Sequence, residues 1–142
     1  MNTVRVERTL AADPEPVRAA IRDVEPFMRA AGFDGVDRDG DTLRLTNHVG
    51  IMTLELTLAL VDRPDAVLAY EQREGIFESM ETTYTVTPTD EGCTVAAETA
   101  YALDVGLVGD FLDATVIDRQ RRRELTAQFD HLAERFGEPA TA

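Results

Sequence analysis

Between Phe33 and Leu103 the chain keeps one period: apolar side chains recur at every second position. The clearest case is IMTLELTLAL, residues 51 to 60. Met52, Leu54, Leu56, Leu58 and Leu60 fall on one face; Thr53, Glu55 and Thr57 fall on the other. A period of two places alternate side chains on opposite sides of a β-strand, so each such run has one apolar and one polar face. Residues 42–49 group Leu43, Leu45, Asn47 and Val49, and residues 67–74, 77–88 and 93–103 continue the pattern. Asp39-Gly40-Asp41, the turn around Pro64 and Asp90-Glu91-Gly92 separate the runs, each with residues that tolerate tight reversals. Residues 3–10 also alternate, with Val4, Val6, Arg8 and Leu10 together. The reading is about seven antiparallel strands, six of them consecutive.

Two other elements carry helical spacing. After the first strand, Asp13 is placed to cap a short helix with Pro14 in its first turn, and Val17, Ala20 and Ile21 give it an apolar side. Pro26 interrupts the pattern, which predicts a second short helix over about 25–31 that stops at Gly32. At the other end, one stripe collects Leu107, Phe111, Ala114, Leu125, Phe129, Leu132 and Phe136. That predicts a helix from about Val105 to Phe136, roughly 30 residues and about 45 Å long. A half-solvated antiparallel sheet must bury its apolar face against another layer, and the long helix is the one large partner available. A twisted sheet wrapped around that helix is the simplest arrangement. Neither repeats nor a linker divide the chain, so residues 1–138 are read as one domain with a short tail, 139–142.

The charges narrow the partners. Asp and Glu number 27 against 14 basic residues, for a net charge of −13. Every basic residue is arginine. Such a surface repels itself at low salt and is screened in concentrated salt, which suits a halophilic cytoplasm. It also opposes nonspecific binding to phosphate backbones. The four arginines packed into RQRRR, residues 119–123, lack the interleaved stacking aromatics of a nucleic-acid surface. No apolar run approaches the roughly 18 residues of a membrane span, and the N-terminal residues do not read as a secretion signal. The single cysteine, Cys93, fits a reducing, cytoplasmic setting. A homodimer is compatible with all of this.

The opening VRVERTLAADPEPVRAAIRDVEPF and the closing LVGDFLDATVIDRQRRRELTAQFDHLAERF are similar to the first strand, first helix and C-terminal helix of the START and birch-pollen-allergen (SRPBCC) superfamily. That superfamily includes the polyketide cyclase/dehydrase-like proteins. The resemblance implies an α+β helix-grip fold: a seven-stranded antiparallel curved sheet around a long C-terminal helix, with two short helices after strand 1. It further implies a hydrophobic tunnel between sheet and helix, used for lipid- or polyketide-like molecules. It implies no single activity, because fold and function are separable.

Alternation then nominates the tunnel wall. If the leucines of 52–60, Leu56 among them, point inward, so do Tyr70 and Gln72, then Thr82 and Tyr84, then Thr99 and Tyr101. Asn47 and Arg8 lie on the matching faces of their strands. On the helix, Phe111 and Asp118 align with Leu125, flanked by Arg121 and Arg122. Asp118 with Arg121 or Arg122 could form a polar spot in the tunnel, since a desolvated carboxylate needs a cationic partner. Alternatively the stripe rotates and leaves Asp118 at the rim as a surface ion pair. The two histidines, His48 and His131, lie on polar faces without metal-ligand spacing, so no metal and no cofactor are expected. No nucleophile elbow, P-loop or dinucleotide fingerprint occurs. The leading expectation is binding or transport of a hydrophobic small molecule. The alternatives are a cyclase- or dehydratase-like enzyme with Asp118 as general base and tyrosines as donors, and a partner-binding module with a collapsed tunnel.

Overall fold

The computed structural model describes residues 1–49, 51–103 and 113–138. The elements run β1 (Asn2–Leu10), α1 (Pro14–Arg22), α2 (Val24–Arg29), β2 (Gly35–Asp39), β3 (Thr42–Val49), β4 (Met52–Leu60), β5 (Leu68–Glu74), β6 (Phe77–Thr89), β7 (Gly92–Leu103) and α3 (Ala114–Phe136). The strands form one seven-stranded antiparallel sheet in the order β1-β7-β6-β5-β4-β3-β2. β2 to β7 therefore make a meander, and β1 closes onto the last strand. This is the helix-grip architecture that the resemblance implies, and the antiparallel strands are those expected from the alternation.

The inward faces follow the period of two. Leu43, Leu45, Leu54, Leu58, Leu68, Tyr70, Met80, Tyr84, Val95, Ala97 and Tyr101 are buried together with Leu125, Phe129 and Leu132 of α3 in one core. Each Val, Leu, Met or Phe among them stabilises the fold by roughly 1.5–3 kcal/mol through removal of apolar surface from water. α1 and α2 add Val17, Ile21, Phe27 and Met28 to the same core. All three tyrosines are almost completely buried.

Two boundaries and one cap differ from the sequence reading. α3 begins at Ala114 rather than near Val105, because Asp113 caps it: its side chain accepts a hydrogen bond from the Val116 N–H at 3.0 Å. That cap satisfies one of the orphan donors of a first helical turn and fixes where the helix starts. Leu107 and Phe111, assigned to the same stripe, lie outside the described residues. Asp13 stands at the N-cap position of α1, but its side chain makes no capping bond; Pro14 supplies the start instead. α2 is shorter than predicted and ends at Arg29.

Two register shifts interrupt the ladders, one between Thr57 and Leu58 on β4 and one between Phe77 and Ser79 on β6. The second has a consequence for the interior. Strict alternation from Met80 and Thr82 would turn Phe77 outward. The bulge turns it inward instead, and its ring meets that of Tyr101 at 5.4 Å between centroids.

Candidate functional site

The site grows from the sheet-facing side of α3. Ile117, Arg121, Glu124 and Gln128 are all buried, and their spacing of three and four residues puts them on one face of the helix. Three of the four are polar. Below them the sheet presents a row set by register: Tyr70 pairs with Thr82, and Thr82 pairs with Thr99. These residues come from β5, β6 and β7 at one level, all pointing inward.

Arg121 docks on that row. Its Nε donates to Thr99 Oγ1 at 2.9 Å, its Nη2 donates to Thr82 Oγ1 at 3.2 Å and to the Tyr70 hydroxyl, and its Nη1 donates to Glu124 Oε1 at 2.9 Å. The Arg121 and Glu124 side chains are 10% and 8% exposed. Glu124 Oε2 accepts from Asn47 Nδ2 at 2.6 Å and from Gln120 Nε2 at 3.1 Å. A buried charge of either sign is costly unless paired and hydrogen-bonded, and here each is both.

The chain of bonds continues and has a direction. Tyr84 donates to Gln128 Oε1 at 2.7 Å, so the Tyr70 hydroxyl, 3.2 Å away, must donate to Tyr84 while its own oxygen accepts from Arg121. Gln128 Nε2 then donates to the Phe27 carbonyl at 3.1 Å, which ties α2 to α3. Burial pushes the Tyr84 phenol well above its usual pKa, and the adjacent Tyr70 oxygen adds to the effect. For Arg121, burial works against the charge, but the Tyr70 and Tyr84 oxygens and Glu124 outweigh it, so its pKa is raised. Desolvation also raises the Tyr101 phenol, which donates to the Ala114 carbonyl at the start of α3, 3.1 Å away.

Between this polar end and the leucines of β3 and β4 lies a cavity of about 50 Å³. Leu54, Leu56, Phe77, Met80 and Ile117 form much of its wall; Asn47, Arg121 and Glu124 form its polar part; Phe33 and Ile76, both half-buried, also line it. That space holds about four water molecules, well short of the roughly 300 Å³ of a drug-sized site.

Of the nominated residues, Asn47, Leu56, Tyr70, Thr99 and Tyr101 line the cavity. Thr82 and Tyr84 are fully buried and lie behind the wall, bonded to its members. Gln72 faces elsewhere: its amide clasps the β5–β6 turn, donating from Nε2 to the Phe77 carbonyl at 2.8 Å and accepting from the Phe77 N–H at 3.1 Å. The clasp needs Gly75, where a Cβ would lie 2.4 Å from both Gln72 Oε1 and Leu56 Cδ2. Arg8 is also outside the cavity, paired with Asp130 and Glu138 across the β1–α3 seam.

Asp118 and Arg122 take the second of the two arrangements the sequence left open. They form a surface ion pair at 3.8 Å, with side chains 40% and 53% exposed. The buried stripe of α3 runs through 117, 121 and 124 in its first half and through 125, 129 and 132 in its second, so Asp118 falls beside it. Counting only apolar residues aligned Phe111, Asp118 and Leu125 and hid a face whose centre is polar. Arg121 was offered only as a partner for Asp118. Glu124 and Gln128 were missed, though their spacing from Arg121, three and seven residues, was the available signal. Phe77 was missed because of the bulge. Among the described residues no group of three or more His, Cys, Asp or Glu could hold a metal ion.

With this geometry in view, the comparisons with known proteins are specific about ancestry. The family described as polyketide cyclase / dehydrase and lipid transport matches residues 1–137. The chain belongs to that family. No curated protein matches it in sequence. Its fold is similar to that of the TTHA0849 protein from Thermus thermophilus, with a TM-score of 0.72, 19% identity, and 94% of this chain and 99% of that one covered. The Zhui aromatase/cyclase from a Streptomyces species gives a TM-score of 0.68 at 20% identity, covering 94% of each chain. A START superfamily protein from Mycobacterium smegmatis gives 0.66 at 16% identity, covering 95% of each. Family membership supports a role in hydrophobic ligand binding or cyclisation. Among the described residues no helix is long and apolar enough to cross a membrane.

Proposed function

We propose that this protein binds a small hydrophobic molecule under α3, with the molecule's polar group at the Arg121 end, and carries or sequesters it without transforming it. The observation that carries this reading is the division of the cavity into an apolar wall and one polar end whose charged groups are held in place by the protein's own hydrogen bonds. Arg121 is held by Glu124, Thr99, Thr82 and Tyr70. The two Glu124 oxygens accept from Arg121, Asn47 and Gln120. A group so committed is a better orienting contact than a proton shuttle. The cyclase reading relied on Asp118 as base, and Asp118 stands outside the cavity. Anything larger than a few heavy atoms must part the half-buried side chains of Phe33, between α2 and β2, from those of Ile76 and Phe77, where β5 turns into β6.

The dense carboxylate surface, net −13 without lysine, fits a salt-rich cytoplasm, so the test belongs in concentrated KCl. Native mass spectrometry of freshly purified protein should show an adduct of lipid-like mass, and adding small apolar ligands should raise Tm with concentration. Protein that carries no adduct, with a Tm indifferent to every apolar ligand tried, would sink the proposal. Covalent conversion of the released molecule on incubation would favour the cyclase instead.

A further inference from the structure

The polar end of the cavity carries both signs of charge within one hydrogen bond. Arg121 Nη1 and Glu124 Oε1 are 2.9 Å apart, and both residues line the cavity. Four of the five guanidinium N–H groups have partners: one on Nε, one on Nη1 and two on Nη2. The second N–H of Nη1 has none among the described residues. Glu124 Oε1 accepts one bond, from Arg121, and a carboxylate oxygen can accept two. A donor and an acceptor thus sit side by side at the cavity's polar end, each with one place left.

We infer that the site selects an uncharged, hydroxyl-bearing apolar molecule and rejects carboxylates and ammonium ions, an inference that rests on the ligand-binding reading above. A hydroxyl accepts from the Arg121 N–H and donates to Glu124 in the same pose. A ketone uses only the first contact. A carboxylate drawn to the guanidinium meets the Glu124 carboxylate already seated there, in surroundings too dry to screen the repulsion. An ammonium ion meets the guanidinium in the same way. Removing the charge of a ligand also removes its desolvation penalty, which an internally neutralised pair cannot repay. An unpaired arginine in the same cavity would have favoured fatty acids; Glu124 reverses that preference.

The experiment uses the full chain in concentrated KCl near neutral pH, titrated calorimetrically with hexan-1-ol, hexan-2-one, hexanoate and hexylammonium. Hexan-1-ol should bind about tenfold or more tighter than either ion, with the ketone between. Hexanoate binding as well as or better than hexan-1-ol overturns the selectivity and leaves the ligand-binding reading standing. If none of the four binds, this inference is overturned, while the ligand-binding reading stands or falls by the adduct and Tm tests above. In Glu124→Gln, hexanoate should draw level with hexan-1-ol. A folded variant that keeps the full preference for the alcohol overturns the assignment to Glu124; if that variant does not fold, the panel on the unaltered protein still decides.

Discussion

Arg121 and Arg122 are neighbours in sequence and opposites in circumstance. Arg121 is buried on the sheet side of α3, with four of its N–H groups directed at named partners. Arg122 is 53% exposed, touches Asp118 at 3.8 Å and donates to the Arg5 carbonyl at 3.1 Å. One step of the helix, about 100° of rotation, separates them. The same side chain is an internal strut in one place and a solvated charge in the other. The difference lies in what would remain if each were removed: a stranded carboxylate in the first case, a hydrated one in the second.

The sharpest way to break this comparison is Arg121→Met, which leaves Glu124 buried without its cation. It should destabilise the fold by about 3–5 kcal/mol in chemical denaturation. Adding Glu124→Leu should restore most of that loss, because a buried ion pair replaced by apolar groups of similar volume is often neutral. A double variant no more stable than the single would show that Arg121 acts through the threonines and Tyr70, not through Glu124.

Alkali should sharpen the contrast next. The pKa values of Tyr84 and Arg121 are raised in the folded state. Their stabilising effect is full below the unfolded values and is lost as pH rises toward the folded ones. Above about pH 10, unfolded tyrosine gives up its proton while Tyr84 keeps its own. Stability should then fall by about 1.4 kcal/mol per pH unit for each tyrosine held in this way, whereas arginine keeps its proton in both states over that range. Tyr84→Phe should remove one group's share of that slope and cost about 1–2 kcal/mol at neutral pH, since Gln128 Oε1 loses its donor. Arg122→Ala should be the smallest effect, within about 0.5 kcal/mol in the same assay. A loss comparable to that of Arg121→Met would end the distinction drawn here.

Much of the fold was legible because burial in a sheet imposes a period that survives in the sequence. Met52 to Leu60 announced an inner face, and the register confirms it, with Leu45 opposite Leu56 and Asn47 opposite Leu54. The three tyrosines followed by counting alone. The helix face was not legible by the same rule. Its sheet side in the first half of α3 is Ile117, Arg121 and Glu124, and apolar counting assigns charged residues to solvent. What makes those charges tolerable is a row of hydroxyls on three strands, which no local window of sequence contains. Phe77 escaped for a different reason: a bulge shifts the parity of one strand end, and parity is all that alternation reads.

The order of strands has a consequence in time. β2 to β6 each pair with a sequence neighbour, but β1 pairs with β7, setting Asn2 beside Tyr101. β1 precedes all its fellow strands in the chain and therefore has no mate until nearly the whole sheet exists. Loop-closure entropy makes so distant a pairing slow, and β1 is expected to dock late, its arrival sealing the edge that α3 braces through Arg8 and Asp130.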